Sequence, residues 1–223
     1  MRSPGYGAIP GLRNLAVALL LLLAAGLPAS AGIRILAFGD SLTAGYGLPP
    51  DQGFTAQLQA WLAAHGAQDV TVINAGVSGD TTAGGRARID WALGDDPDAV
   101  IVELGANDLL RGLDPGAAKD NLAAILAAID KRKLPAILAG VPVPPNFGAE
   151  YRDAFKAIYP DLAKQYGAIL YPSFFAGLGE GRSIPQIMLL FQGDGLHPNA
   201  QGVAAIVDNI GPVVLDLVAQ ARK

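Results

Sequence analysis

The chain contains no cysteine. That absence excludes a thiol nucleophile, a disulfide framework and a cysteine-linked lipid anchor. Histidine is almost as scarce: His65 and His197 are the only two, so any imidazole base must be one of them. No run of like charges, internal repeat or low-complexity tail interrupts the 223 residues. With 16 Lys and Arg against 20 Asp and Glu, the formal charge is −4, which argues against nucleic-acid binding, since that needs clustered Lys and Arg. The motif Gly-x-Ser-x-Gly, the nucleophile elbow of α/β-hydrolases, is missing too. No linker-like shift in composition divides residues 32–223, which read as one domain large enough to bury a real core.

What is present begins with a leader. Arg2 and Arg13 precede the apolar run Leu15–Leu27, and Ala29-Ser30-Ala31 follows as a small-residue cleavage site. This order predicts a secretory signal peptide over residues 1–31, with a run short for a membrane span. Its removal takes Arg2 and Arg13 and no acids, moving the formal charge from −4 to −6. The expectation is a periplasmic product without a stable membrane span in its mature form.

After the leader, strands alternate with helices. Short apolar runs at Ile33–Phe38, Val70–Ile73, Ala99–Leu104, Pro135–Ala139 and Ala168–Leu170 read as five strands. Helical spacing marks Gln52–His65, with Phe54, Leu58, Trp61 and Leu62 on one face. It also marks Ala117–Asp130, Tyr151–Tyr166 and Asn199–Ala219, and a helix is expected to start near Asp80 or Thr81, whose side chains suit an N-cap. Residues 172–193 read as a long loop with one or two short helical turns. This alternation predicts an α/β protein with a parallel sheet and right-handed crossovers.

Polar residues that ordinary turns do not require cluster at three strand ends. Asp40-Ser41 follows the first strand, Ser78-Gly79-Asp80 the second and Asn107-Asp108 the third, while Asp194-Gly-Leu-His197-Pro198 precedes the last helix. In a parallel sheet these strand ends share the edge where open α/β sheets bind ligands. His65, at a helix end before Gly66, suits capping of carbonyls, so His197 is the candidate base and Asp194 its orienter. A serine hydroxyl is a poor nucleophile until an imidazole takes its proton, and a carboxylate on the far ring nitrogen fixes the tautomer. Ser41 N–H, Gly79 N–H and the Asn107 amide are candidate donors to a tetrahedral oxyanion. Each residue also has a plainer reading. Asn107 could close a turn, Gly79 could be a loop glycine, and Asp194-Gly195 could form a hairpin-like turn. Asp194 and His197 could instead ligate a metal, although a catalytic zinc takes three protein ligands and no metal or cofactor is expected.

Gly39-Asp-Ser-Leu42, Gly79, Gly105-Ala-Asn-Asp108 and Asp194-Gly-Leu-His-Pro198 resemble the four sequence blocks of the SGNH (GDSL) hydrolases, over nearly all of residues 33–200. Asn74-Ala-Gly-Val-Ser-Gly-Asp-Thr81, Val102-Glu-Leu-Gly-Ala-Asn-Asp108 and Ala157-Ile-Tyr-Pro160 are similar to the periplasmic esterases of that family: thioesterase I, lysophospholipase L1 and arylesterase. The resemblance implies a flavodoxin-like three-layer α/β/α sandwich on a five-stranded parallel sheet. It also implies a catalytic Ser41, Asp194 and His197, and an oxyanion hole of Ser41, Gly79 and Asn107. The chain departs from the commonest form at Ala106, where Gly-Gly is usual. The activity so implied is hydrolysis of small-molecule acyl esters or thioesters such as acyl-CoA, lysophospholipid or aryl esters, by a monomer. The alternatives are a carbohydrate O-deacetylase and a non-catalytic binding domain on the same fold. The leucines of the segment after Asn107 (Leu109, Leu110 and Leu113) are expected to line the acyl site, unless they merely pack beneath their loop.

Overall fold

In the computed structural model, residues 32–143 and 145–223 are described, so the leader expected over residues 1–31 lies outside them. Five parallel strands form the sheet: β1 (Arg34–Gly39), β2 (Thr71–Gly76), β3 (Ala99–Glu103), β4 (Ala136–Ala139) and β5 (Ile169–Tyr171). Their order is β2-β1-β3-β4-β5, the flavodoxin-like arrangement. Alternation along each strand sorts the core into two layers. Ile35, Ala37, Ile101 and Ile137 point to one face; Leu36, Phe38, Val100, Val102 and Leu138 point to the other.

Helices cover both faces. On the first lie α2 (Phe54–Ala64), through Phe54, Leu58 and Leu62, and the final helix α9 (Ala200–Ala221), through Ile206, Ile210, Val214 and Leu217. On the second lie α3 (Thr82–Ala92), α5 (Pro115–Lys131) and α6 (Ala149–Tyr166), which contribute Ile89, Leu122, Ile125, Phe155 and Ile158. These side chains are almost wholly buried, and truncating one such leucine or isoleucine to alanine typically costs about 2–5 kcal/mol. By length and composition α9 could cross a membrane. Its buried stripe against the sheet and α2 is what a core helix requires.

The strand boundaries differ from expectation at one informative place. β2 runs on through Asn74–Gly76, because these residues pair with Ala37–Gly39 of β1, although their side chains are not strand-like. Two short helices were not expected at all, α1 (Ser41–Ala44) and α4 (Ala106–Leu110), which begin just past the ends of β1 and β3. The expected long loop carries α7 (Ala176–Gly179) and α8 (Ile184–Met188). Because β1 leads to β2 on one side while its neighbour β3 leads to β4 on the other, the connections leaving these two adjacent carboxyl ends diverge. That switch point opens a crevice beside Ser41.

Candidate active site

Asp40 is fully buried and caps α1, its Oδ1 accepting from Leu42 N–H at 3.0 Å. The cap turns the chain sharply after β1 and brings Ser41 to the first helical position. Gly39 is needed there for space, since a Cβ would run into Thr43 and the backbone and carboxylate of Glu103. Ser41 Oγ stands 2.8 Å from His197 Nε2, and His197 Nδ1 stands 2.6 Å from Asp194 Oδ2. Asp194 Oδ1 accepts from the backbone N–H groups of His197 (3.0 Å) and Leu196 (2.9 Å). With the bonds from His197 foremost, these hold the Asp194 carboxyl down to about 2. Asp194 therefore stays anionic wherever an imidazole is of use. Both ring nitrogens of His197 are engaged, one by Ser41 and the other by Asp194.

The hairpin-like turn expected as an alternative for Asp194-Gly195 is present. Gln192 N–H donates to His197 C=O at 2.8 Å, Phe191 bridges Pro198, and Gly195 takes φ +68°. The turn brings His197 to Ser41. His65 lies elsewhere, its Nδ1 2.8 Å from Trp61 C=O and its ring stacked on Trp61.

Gly79 occupies the third position of a turn closed by Asp80 N–H on Val77 C=O at 3.0 Å, with φ +82°, a conformation that favours glycine. Among the described residues, Ser41 N–H and Gly79 N–H have no hydrogen-bond partner. Asn107 Nδ2 donates to Asp40 Oδ2 at 3.1 Å, which uses one amide hydrogen and leaves the other. Ser41, Gly79 and Asn107 thus follow three adjacent strands, each retaining a donor.

Around these residues stands a polar frame that the sequence did not disclose. Asp108 is buried and accepts from both Thr82 N–H (2.8 Å) and Thr82 Oγ1 (2.6 Å), fixing the start of α3 and with it the Gly79 turn. Arg88 bonds Asp80 through Nε at 2.7 Å, donates to Ala75 C=O and Gly39 C=O at 2.8 Å each, and lies over the Phe38 ring. Arg111 Nη2 donates to Gly79 C=O at 2.8 Å. Glu103 closes the otherwise apolar strand β3. It is fully buried, accepts from Thr43 Oγ1 at 2.9 Å, and has an Oε1 without a partner among the described residues. Burial, then repulsion from Asp40, pushes Glu103 well above the carboxylate range, and burial pushes Asp40 up to about 6.

A groove of about 310 Å³ opens beside Ser41, Asn107 and His197, with Leu109, Leu110, Val141, Phe147, Phe175 and Leu196 among its apolar walls. Two of the three expected leucines thus face it: Leu110, which is exposed, and Leu109, which is buried. Leu113 is not among the lining residues, and its carbonyl accepts from Tyr151 Oη at 2.8 Å.

Residues 37–205 match the GDSL-like lipase/acylhydrolase family. The chain belongs to this family. An arylesterase of Vibrio mimicus is 40% identical over 191 residues, covering 85% of this chain and 91% of that protein. Thioesterase 1/protease 1/lysophospholipase L1 of Escherichia coli is 37% identical over 182 residues, covering 81% and 82%. The crystal structure of AlinE4, an SGNH-hydrolase family esterase, superposes with a TM-score of 0.68 at 45% identity, covering 83% of this chain and 96% of that one. This member of the family is an α/β carboxylic ester hydrolase, and the expected fold holds in its five parallel strands.

Proposed function

We propose that the protein is an exported serine esterase that hydrolyses acyl esters and thioesters with an apolar acyl chain through Ser41, His197 and Asp194. The observation that carries this is the continuous hydrogen-bonded line from Ser41 Oγ through His197 to Asp194, at 2.8 and 2.6 Å, which is the spacing nucleophilic catalysis needs. In this mechanism His197 Nε2 takes the Ser41 proton as Oγ bonds to the substrate carbonyl carbon. Charge on the carbonyl oxygen is met by Ser41 N–H, Gly79 N–H and the free Asn107 amide hydrogen. Collapse of the tetrahedral adduct expels the alcohol or thiol, which receives the proton from His197. Water then enters by the same steps in reverse and frees the acid. Asp194 stays ionised throughout, holds the ring and stabilises the imidazolium.

The apolar groove walls beside Ser41 support an acyl chain as the part of the substrate held there, each buried methylene contributing about 0.8 kcal/mol. The similarity to an arylesterase and to a thioesterase 1/protease 1/lysophospholipase L1 supports the same substrate class. Export to the periplasm rests on the leader sequence of residues 1–31. The test is labelling with an organofluorophosphonate, followed by a panel of esters and thioesters. One equivalent should add at Ser41 and abolish turnover, and Ser41→Ala should be unlabelled. Retention of most activity by Ser41→Ala would refute the mechanism.

A further inference from the structure

The two halves of the proposed catalytic pair are 156 positions apart, and His197 rides on a loop whose tip, Asp194 to Leu196, is exposed. The exposed tip packs against little, so contacts nearer the base of the loop must help set the distance between Ser41 and His197. We propose that Gln192 is a positioning residue that fastens the serine loop to the histidine loop. Its side-chain nitrogen donates to Tyr46 C=O at 2.8 Å and to Pro198 C=O at 3.0 Å. One amide nitrogen thereby spends its two hydrogens on the two loops, one on each. Its own backbone N–H donates to His197 C=O at 2.8 Å, so residue 192 holds both His197 and the residue after it.

The serine side of the clamp is shaped to receive it. Tyr46 follows α1 by one glycine, and its ring rests against the His197 ring with centroids 4.6 Å apart. Gly47 lies against the Gln192 amide so closely that a Cβ there would collide with Oε1. A side chain of this length, ending in a nitrogen with two hydrogens, serves both carbonyls. A glutamate would set an acceptor against two acceptors, and asparagine is one methylene too short to span them.

This inference rests on the serine mechanism above, and its test separates the two. Gln192→Met keeps length and volume but has no donor; Gln192→Asn keeps the donors but loses reach. Each is to be assayed with an acetyl aryl ester, with active sites counted by burst titration, and with the rate of Ser41 phosphonylation measured alongside. Loosening the pair by around 1 Å should lower kcat about 10–100-fold per titrated site, with KM within about twofold, and slow phosphonylation by a similar factor. Gln57→Met is the control. Gln57 makes a comparable double donation, to Gln52 C=O and Ala200 C=O, so its loss should lower Tm while leaving kcat per site unchanged. Wild-type kcat and labelling rate per titrated site in whichever Gln192 variant folds would overturn the clamp, as would an equal kcat loss in Gln57→Met. Activity in Ser41→Ala would instead overturn the mechanism on which it rests.

Discussion

Asn107 donates one amide hydrogen to Asp40, Oδ2 lying 3.1 Å away, while Asp40 Oδ1 caps the helix that Ser41 begins. One buried carboxylate therefore orients two proposed oxyanion donors at once. If Asn107 acts mainly in the transition state, Asn107→Ala should lower kcat by about 10²–10³ with KM nearly unchanged. Steady-state kinetics on one ester decides the matter: a raised KM at normal kcat would assign Asn107 to ground-state binding.

The buried carboxyls of Asp40 and Glu103 should make the protein less stable as pH rises. Their folded-state values lie above the ordinary carboxylate range, Asp40 at about 6. The stability tied to their protonated forms is complete below about pH 4 and declines as pH rises, that of Asp40 being lost as pH climbs through about 6. For Asp40 the shift amounts to on the order of 2–3 kcal/mol. Thermal melts at pH 5 and pH 8 should show Glu103→Gln losing less Tm than the wild type across that interval. A parallel loss in both proteins would mean that Glu103 is not protonated in the native state.

Asp194 works in the opposite direction. Its carboxyl is held down to about 2 by N–H donors from His197 and Leu196, so its contribution is present above the ordinary value near 4 and vanishes as pH falls through about 2. Asp194→Asn should flatten acid unfolding in that window, read by circular dichroism from about pH 4 downward. The same variant should lose about 10⁴ in kcat at neutral pH, because the His197 tautomer is no longer fixed. Acid unfolding identical to wild type would place the stabilising bonds elsewhere.

Acyl selectivity should separate Leu110 from Leu113. Leu110 is exposed on the groove wall, whereas Leu113 is not among the groove-lining residues. Extending an ester from butanoyl to octanoyl adds four methylenes, worth a factor on the order of 10² in kcat/KM against a good wall. Leu110→Ser should cut that rise several-fold while sparing acetyl esters, and Leu113→Ser should leave it as it is. Kinetics over the ester series checks both, and equal losses on short and long esters would show that Leu110 supports the reacting groups instead.

The order of strands and helices and the four polar blocks were legible in the linear chain for a physical reason. Strand alternation, helix spacing and turn residues are local, and each catalytic candidate sits on a short block just past a strand or before a helix. Ser41, Gly79 and Asn107 could be placed on one edge because parallel strands put all their carboxyl ends there. His65 could be set aside because a histidine at a helix end already has carbonyls to serve, and Trp61 C=O is one of them. Tertiary structure alone decided the rest, since its partners are far apart in sequence: Asp40 with Asn107, Thr82 with Asp108, Tyr46 with Gln192. It also extended β2 through Asn74–Gly76, where pairing to β1 overrode weak strand propensity. Nothing in the run Ala99–Glu103 says that its last residue will be buried beside a second carboxyl. That follows from register, which sets Glu103 opposite Gly39 and leaves its carboxyl no route to water.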